Sequence, residues 1–352
     1  MNGKKVLTLL CAVLLSLSLG ACGGGQTPGP ADSGTESSTP APVPESADSG
    51  KSMTFVLARR DEWLATLVDS AASAAAELGV DLKIVDCQYD NAKAIQYTKA
   101  ARDAGEQVVI LNLTDVNQAA PMIEAAGDMK IVLINTPPDD MNRLNENVVF
   151  VGSDEATAGQ FQGEALAAYF KARQPDADRI SVKYLLFNGI LGQPSTNQRT
   201  ASAIQALQEN GVDATEAADP VPADYDRAKA MNSMEALLAA KTEYDCVISN
   251  NDSMALGVID ALENAGLDPA EKPIVGIDCT AEGAEAVAEG KLLMTVYQNA
   301  EGQGRSAVQA ALNLLEGRPM DEGTGYQVDA SNPYALYVPF EPVDASNVEQ
   351  YR

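Results

Sequence analysis

The chain contains no histidine. That removes Ser-His-Asp and Cys-His catalysis, histidine-ligated zinc, and the side chain that most often serves as a general base near neutral pH. Cationic side chains are scarce too: 24 Lys and Arg face 50 Asp and Glu, for a formal charge of −26. Nucleic acid is excluded as a partner class, because phosphate binding is driven by clustered Lys and Arg. So acidic a surface serves solubility. Tryptophan occurs once, at Trp63, and cysteine at five positions. Two of these, Cys11 and Cys22, lie in the N-terminal segment. The other three, Cys87, Cys246 and Cys279, sit in or at the end of apolar, strand-like runs. An odd number of scattered cysteines argues against a disulfide framework and for buried packing. Long hydrophobic runs are confined to Val6–Leu19, shorter than the roughly 20 residues a transmembrane helix needs.

That run follows Lys4 and Lys5 and ends at Leu19-Gly20-Ala21-Cys22. A charged start, an apolar stretch and small residues at a cleavage site read as a secretion signal over residues 1–21. The tetrad resembles the bacterial lipobox, which implies that Cys22 is lipidated on sulfur and becomes the mature N-terminus. The alternative is an ordinary signal peptide with an incidental cysteine. Residues 22–52 are rich in Gly, Pro, Ser, Thr and acidic side chains. They cannot bury enough surface to offset chain entropy, so they read as a flexible tether spanning about 30 Å. Gly50-Lys51-Ser52 looks like the end of a phosphate-binding loop, but Glu45 stands where a Gly is needed and no strand precedes it. The expected location is outside the cytoplasm, anchored to the cell membrane through Cys22.

The remaining residues, about 300, exceed the usual size of one hydrophobic core, so two lobes are expected. Met53–Leu57, Leu82–Val85, Val108–Leu111 and Ile131–Ile134 have the length and character of strands buried on both faces. Leu64–Leu78, Ala92–Ala104 and Asn117–Ala126 between them have helical spacing, each followed by a glycine stop, at Gly79, Gly105 and Gly127. The pattern restarts after Val148–Val151. Ile180–Leu186, Ala214–Ala217, Cys246–Ile248 and Ile274–Ile277 are strand candidates, separated by helices near 155–172, 197–210, 227–240 and 253–265. Strand and helix alternating in this way imply an α/β architecture of two doubly wound parallel-sheet lobes. Leu293–Tyr297 and the helix around Arg305–Leu315 have no room to form a third domain and are read as returning to the first lobe. The expected division is 53–153 plus 299–329 for the N-terminal lobe and 154–298 plus 330–352 for the C-terminal lobe.

In parallel sheets ligands bind outside the carboxyl ends of the strands, so the polar residues ending each run are the ones to inspect. The first strand leads into Arg59-Arg60-Asp61-Glu62-Trp63 and the fourth into Asn135. Those of the second lobe lead into Gly192-Gln193-Pro194 and Arg199, into Asn250-Asn251-Asp252, into Asp278 and into Gln298. Amides, a guanidinium and a carboxylate together match vicinal hydroxyls, and Trp63 and Tyr225 add flat faces for a ring's C–H surface. Each also has a plain structural reading. Asn250–Asp252 and Asp278 are good helix caps, Arg199 is a solvated helix residue, and the two aromatics are core.

Five segments carry a resemblance: Val151-Gly152-Ser153-Asp154, Gly192-x-Pro194-x4-Arg199-Thr200, Ala223-Asp224-Tyr225-Asp226-Arg227, Ile248 through Gly257, and Val275-Gly276-Ile277-Asp278. In that order, over about 53–345, the chain resembles the type I periplasmic sugar-binding proteins, especially the glucose/galactose-binding and ribose-binding members. The resemblance implies two lobes joined by three crossovers that close on a monosaccharide and then dock on the permease of an ABC importer. The protein is expected to act as a monomer without cofactor or catalysis. It implies that Asn251 and Asp278 grip adjacent hydroxyls, that Arg199 reaches the ring or anomeric oxygen, and that Asn135 binds from the first lobe. Glu62 falls where the glucose/galactose members carry a sugar-binding Asp. Trp63 and Tyr225 fall on or beside the aromatic platforms, and Gln298 takes the amide position of the third crossover. Gln193 and Ser195 replace the His and Asp of the glucose/galactose members. Asn135, followed by Thr136, lacks the Asp-Arg pair of the ribose members. Gln174–Arg179 lacks the alternating oxygen ligands and central Gly of a calcium loop, so no metal is expected.

Glucose- or galactose-like hexoses are the first choice of ligand, with a pentose, a cyclitol or a signalling sugar as alternatives. A sugar-responsive regulator would need a helix-turn-helix ahead of the first strand, where this chain has a signal and a tether. An enzyme has only Gly302-x-Gly304-x-x-Ala307 as a nucleotide-like motif, and close helix-to-strand packing accounts for both glycines.

Overall fold

A computed structural model describes residues 51–352. The signal segment, Cys22 and nearly all of the tether lie outside the described residues. From Ser52 the chain alternates β1 (Ser52–Leu57), α1 (Glu62–Glu77), β2 (Asp81–Asp86), α2 (Asn91–Asp103), β3 (Val108–Leu111), α3 (Ala119–Ala126), β4 (Lys130–Ile134) and β5 (Val148–Gly152). It then crosses into α4 (Glu155–Arg173), β6 (Ile180–Asn188), α5 (Pro194–Glu209), β7 (Val212–Glu216), β8 (Val221–Pro222), α6 (Arg227–Ala239), β9 (Cys246–Ser249) and α7 (Asp252–Asn264). The last elements are β10 (Ile274–Val275), α8 (Ala281–Ala288), β11 (Met294–Gln298), α9 (Ala300–Glu316), β12 (Ala335–Tyr337) and β13 (Phe340–Asp344).

The first sheet has the order β12-β5-β4-β3-β1-β2 and is parallel throughout. The second has the order β13-β11-β10-β9-β6-β7, with β8 beside the end of β6, and only β13 runs antiparallel to its neighbour. Each sheet is covered on both faces, which is why its strands read as unbroken apolar runs. Along β1, Phe55 and Leu57 pack towards α1 and α9, while Val56 packs towards α2 and α3. The second sheet is covered by α4 and α5 on one face and by α6, α7 and α8 on the other.

Strand order reverses between β1 and β3 in the first sheet and between β6 and β9 in the second. A reversal splays the helices on either side and leaves a crevice at the carboxyl ends of the strands. Three crossovers join the lobes: β5 to α4, β11 to α9, and β12 to β13. One hydroxyl ties them together. Ser153 Oγ donates to Val338 O at 2.7 Å and accepts from Gln303 Nε2 at 2.9 Å, and Val338 N donates to Gly152 O at 2.7 Å.

Three expectations need correction. Segment 330–352 is divided: Ala335–Tyr337 pairs with β5 in the first sheet, and only Phe340–Asp344 joins the second. The edge of each sheet is completed by one half of the same C-terminal stretch. Leu293–Tyr297 does not return to the first lobe either, because β11 pairs with β10 and β13, and the chain crosses back only at Gln298. The glycine motif does not serve helix-on-strand packing: Gly304 allows α9 to approach α1, and Gly302 makes room for the loop that carries Tyr326. A Cβ on Gly304 would lie 2.4 Å from Leu67 O in α1, and one on Gly302 would meet Tyr326 Oη.

Candidate functional site

Nine of the ten expected site residues line a single cleft where the two strand-order reversals face each other: Trp63, Asn135, Gln193, Ser195, Arg199, Tyr225, Asn251, Asp278 and Gln298. Glu62 does not. Its neighbour Asp61 is the N-cap of α1, accepting from Leu64 N at 2.8 Å and from Arg59 Nε at 2.9 Å. A cap side chain folds back over the helix end, here towards the cleft, whereas the next residue points outward. Glu62 is accordingly exposed and faces a neighbouring groove with Thr66, Thr280 and Glu301, and Asp61 lines the cleft in its place.

The floor is built around Arg199, which α5 carries into the interior. Its Nε donates to Glu155 Oε2 at 2.6 Å, Nη1 to Asn250 O at 2.8 Å and Nη2 to Gln298 Oε1 at 3.2 Å. Asp278 Oδ1 stands 4.0 Å from Nη1. Burial alone would lower the guanidinium's pKa, but Glu155, Tyr225 and Asp278 outweigh it and hold the group above its ordinary value. Burial pushes the Asp278 carboxyl well above the usual carboxylate range, with Arg199 opposing and Asp252 adding to the shift. Asn251 serves two roles at once. Its Oδ1 accepts from Met254 N at 3.0 Å as the cap of α7, and its Nδ2 faces Asp278 Oδ2 at 3.4 Å. The other proposed cap is different: Thr280, not Asp278, caps α8. Gln298 Nε2 is buried and has no hydrogen-bond partner, so one donor at the floor is left for whatever enters.

Trp63 and Tyr225 form the walls. The Trp63 indole N–H donates to Gln298 O at 2.9 Å, joining the first lobe to the end of β11. The Tyr225 ring lies against Gly189, where a Cβ would come within 2.0 Å of it, and its hydroxyl meets Ser195 Oγ and Thr196 Oγ1, each at 2.9 Å. At the mouth, Gln193 Nε2 donates to Tyr89 Oη at 3.3 Å, and the Arg59 guanidinium lies 5.1 Å from the Tyr89 ring centre and 5.7 Å from that of Tyr225. Tyr89, Asn135, Tyr225 and Asp278 all have positive φ. Such conformations cost of order 1–3 kcal/mol each for side-chain-bearing residues and cluster where function requires a particular aim. Asn112 sits between the lobe's strand ends, accepting from Ala58 N at 3.2 Å and donating to Ile134 O at 3.2 Å.

Arg59 and Asp61, from the run that follows the first strand, thus line the cleft without having been assigned a binding role, and Tyr89, Asn112 and Glu155 join the lining from outside the strand-end residues singled out in the sequence. Together they line a cleft that is open at its mouth and narrows towards the Arg199 floor. It offers amide, hydroxyl, guanidinium and carboxylate groups around a centre flanked by flat apolar faces, the chemistry of a polyhydroxylated ring. A cation between Glu155 and Asp278 would meet the Arg199 guanidinium, which opposes metal binding at the floor.

Residues 54–319 match the periplasmic binding protein domain. The chain is 28% identical to the ribose import binding protein of Salmonella typhimurium over 94% of its length and 98% of that protein. It is also 28% identical to the D-galactose/methyl-galactoside binding periplasmic protein of Haemophilus influenzae, over 78% of this chain and 82% of that protein. Among solved structures, an ABC transporter solute-binding protein from Bacillus halodurans with bound myo-inositol superposes with a TM-score of 0.73 at 28% identity, covering 86% of this chain and 96% of that one. Two parallel-sheet lobes, three crossovers and a cleft between reversed strand orders are the type I arrangement of these relatives, and the chain belongs to the periplasmic binding protein domain family.

Proposed function

We propose that the protein captures a monosaccharide or related polyol in the interlobe cleft, outside the cytoplasm, and delivers it to an ABC importer as a monomeric binding protein rather than an enzyme. The observation that carries this reading is the unfilled bonding capacity of the buried floor. Gln298 Nε2 has no partner, and Asp278 has only a 3.4 Å contact from Asn251 and a distant guanidinium. Unpaired buried groups are unfavourable until a ligand answers them, and hydroxyls that both donate and accept suit this mixed set. Relatives named for ribose and galactose, and one solved with myo-inositol, support the polyol class. Glucose- or galactose-like hexoses are the first choice within it, with pentoses and cyclitols next.

Thermal melts with glucose, galactose, ribose, xylose, arabinose and myo-inositol, and with amino acids and nucleosides as controls, test this. At about 100 times its dissociation constant a cognate ligand stabilises the fold by about 2.7 kcal/mol, and at roughly 2–4 °C per kcal/mol the melt rises several degrees. Asp278→Ala is expected to abolish that rise without lowering the unliganded melt, since it removes hydrogen bonds to the ligand's hydroxyls and not core packing. A response to a control and to no polyol refutes the reading.

The membrane anchor is part of the proposal and rests on Leu19-Gly20-Ala21-Cys22. Cys22→Ala is expected to move the protein from membranes to the soluble fraction. Persistent membrane association of the variant counts against lipidation.

A further inference from the structure

We infer that Glu155 is a specificity-determining residue: by pairing with Arg199 at the floor of the cleft it selects uncharged polyols and rejects anionic ones such as uronates and sugar phosphates. The inference rests on the polyol reading and narrows it. Five Asp, Glu and Arg side chains line the cleft, Arg59, Asp61, Glu155, Arg199 and Asp278, and their pairing is explicit. Arg59 and Asp61 answer each other near the mouth at 2.9 Å. At the floor Arg199 and Glu155 answer each other at 2.6 Å, both side chains 5% exposed. Asp278 has no cation of its own and shares Arg199 at 4.0 Å.

A buried arginine facing a ligand cleft is ordinarily a ready counter-ion for carboxylate or phosphate, which it takes through two parallel N–H bonds. Here Glu155 holds Nε, Asn250 O holds Nη1 and Gln298 Oε1 holds Nη2. Of the five guanidinium N–H groups two are left, one on each Nη. They suit a single hydroxyl or ring oxygen. An anion there would lie beside Glu155 and Asp278 with the charge of Arg199 already matched, and like charge in a desolvated site is a means of rejecting a wrong ligand. A hydroxyl meets no such penalty: it accepts from Arg199 and donates to Asp278. Glu155 acts through Arg199 and is therefore a positioning residue as well as part of the lining.

Glu155→Gln keeps the size of the side chain and an acceptor for Nε while removing the charge. Calorimetric titration of wild type and E155Q against matched pairs is the test: galactose and galacturonate, glucose and glucuronate, ribose and ribose 5-phosphate, myo-inositol and myo-inositol 1-phosphate. The wild type is expected to prefer a neutral member over its charged counterpart by about 100-fold or more. E155Q is expected to narrow that ratio by about tenfold or more, chiefly by gaining affinity for the anion. Glu155→Asp, which restores the charge, is expected to return the ratio towards the wild-type value, whereas loss of packing alone would weaken both members of a pair alike. An unchanged ratio in E155Q overturns the role of Glu155 and leaves the polyol reading standing. A wild type that binds none of the neutral members overturns both. If E155Q does not fold, the wild-type ratio decides: an anion bound as tightly as its neutral partner overturns the inference.

Discussion

Asp252 is a carboxylate that does not line the cleft, although its neighbour Asn251 does. It is fully buried, accepting from Thr280 N at 3.0 Å and from Thr295 Oγ1 at 2.7 Å, with Gly276 and Gly283 packed against its oxygens. Burial pushes its carboxyl up to about 7, although the bonds from Thr295 and Thr280 pull the other way and the Glu62 charge adds slightly. The folded state therefore holds a proton that the unfolded chain releases near pH 4. That contribution to stability is fully present below pH 4 and is lost as pH rises to about 7. Relative to Asp252→Asn, the wild type is expected to lose roughly 2–4 kcal/mol over that interval and to level off above it. Urea melts of both proteins at pH 4, 5.5 and 7 measure this, and a constant difference rules out the buried titration. The same scale shows what the sequence disclosed of the site. Strand ends pointed to most of the lining, and the same rule extends to Asn112 and Tyr89, which follow β3 and β2. Asp61 was one residue from the expected Glu62, and the preference of Asp for the N-cap is the signal that separates them. Glu155 has no such signal, because an acidic residue in the first turn of a helix is ordinary.

Among the elements, the buried parallel strands were readable because runs such as Val108–Leu111 are apolar on both faces. β12 and β13 were not. Pro333, Pro339 and Pro342 lie in or around them, and proline argues against a strand except at an edge, which is where both strands lie. α8, only eight residues long with Gly283 inside, carried too weak a helical pattern. Packing between α1 and α9 gives an element-scale test in which two effects have opposite signs. Alanine at a helix-interior glycine gains about 0.5–1 kcal/mol from backbone entropy. At Gly304 the added methyl would sit 2.4 Å from Leu67 O and 3.0 Å from Ala71 N, and overpacking of that kind costs about 1–3 kcal/mol. Gly304→Ala is therefore expected to destabilise in urea unfolding. A gain in stability would mean that α1 and α9 separate easily.

For the whole molecule, the single tryptophan is a built-in reporter. Trp63 bonds to Gln298 O across the cleft, so opening of the lobes breaks that bond and wets the indole. Saturating ligand is expected to shift tryptophan emission to the blue, while unliganded protein emits further to the red. An emission spectrum indifferent to a ligand that raises the melting temperature would show that closure does not involve Trp63. The division of the chain between the sheets has a further consequence for the order in which the protein can take shape. Residues 52–152 supply five strands of the first sheet, but α9, which covers one face, and β12, which completes one edge, come from 300–337. The second sheet likewise waits for 340–344. A chain emerging from its N-terminus cannot complete either sheet until residues 335–344 are free, so both lobes mature together rather than one after the other. A fragment ending just before residue 300 keeps the helices of the second sheet but lacks α9 over one face of the first and the edge strands β12 and β13 of both, and apolar surface and unpaired edges exposed in this way favour aggregation.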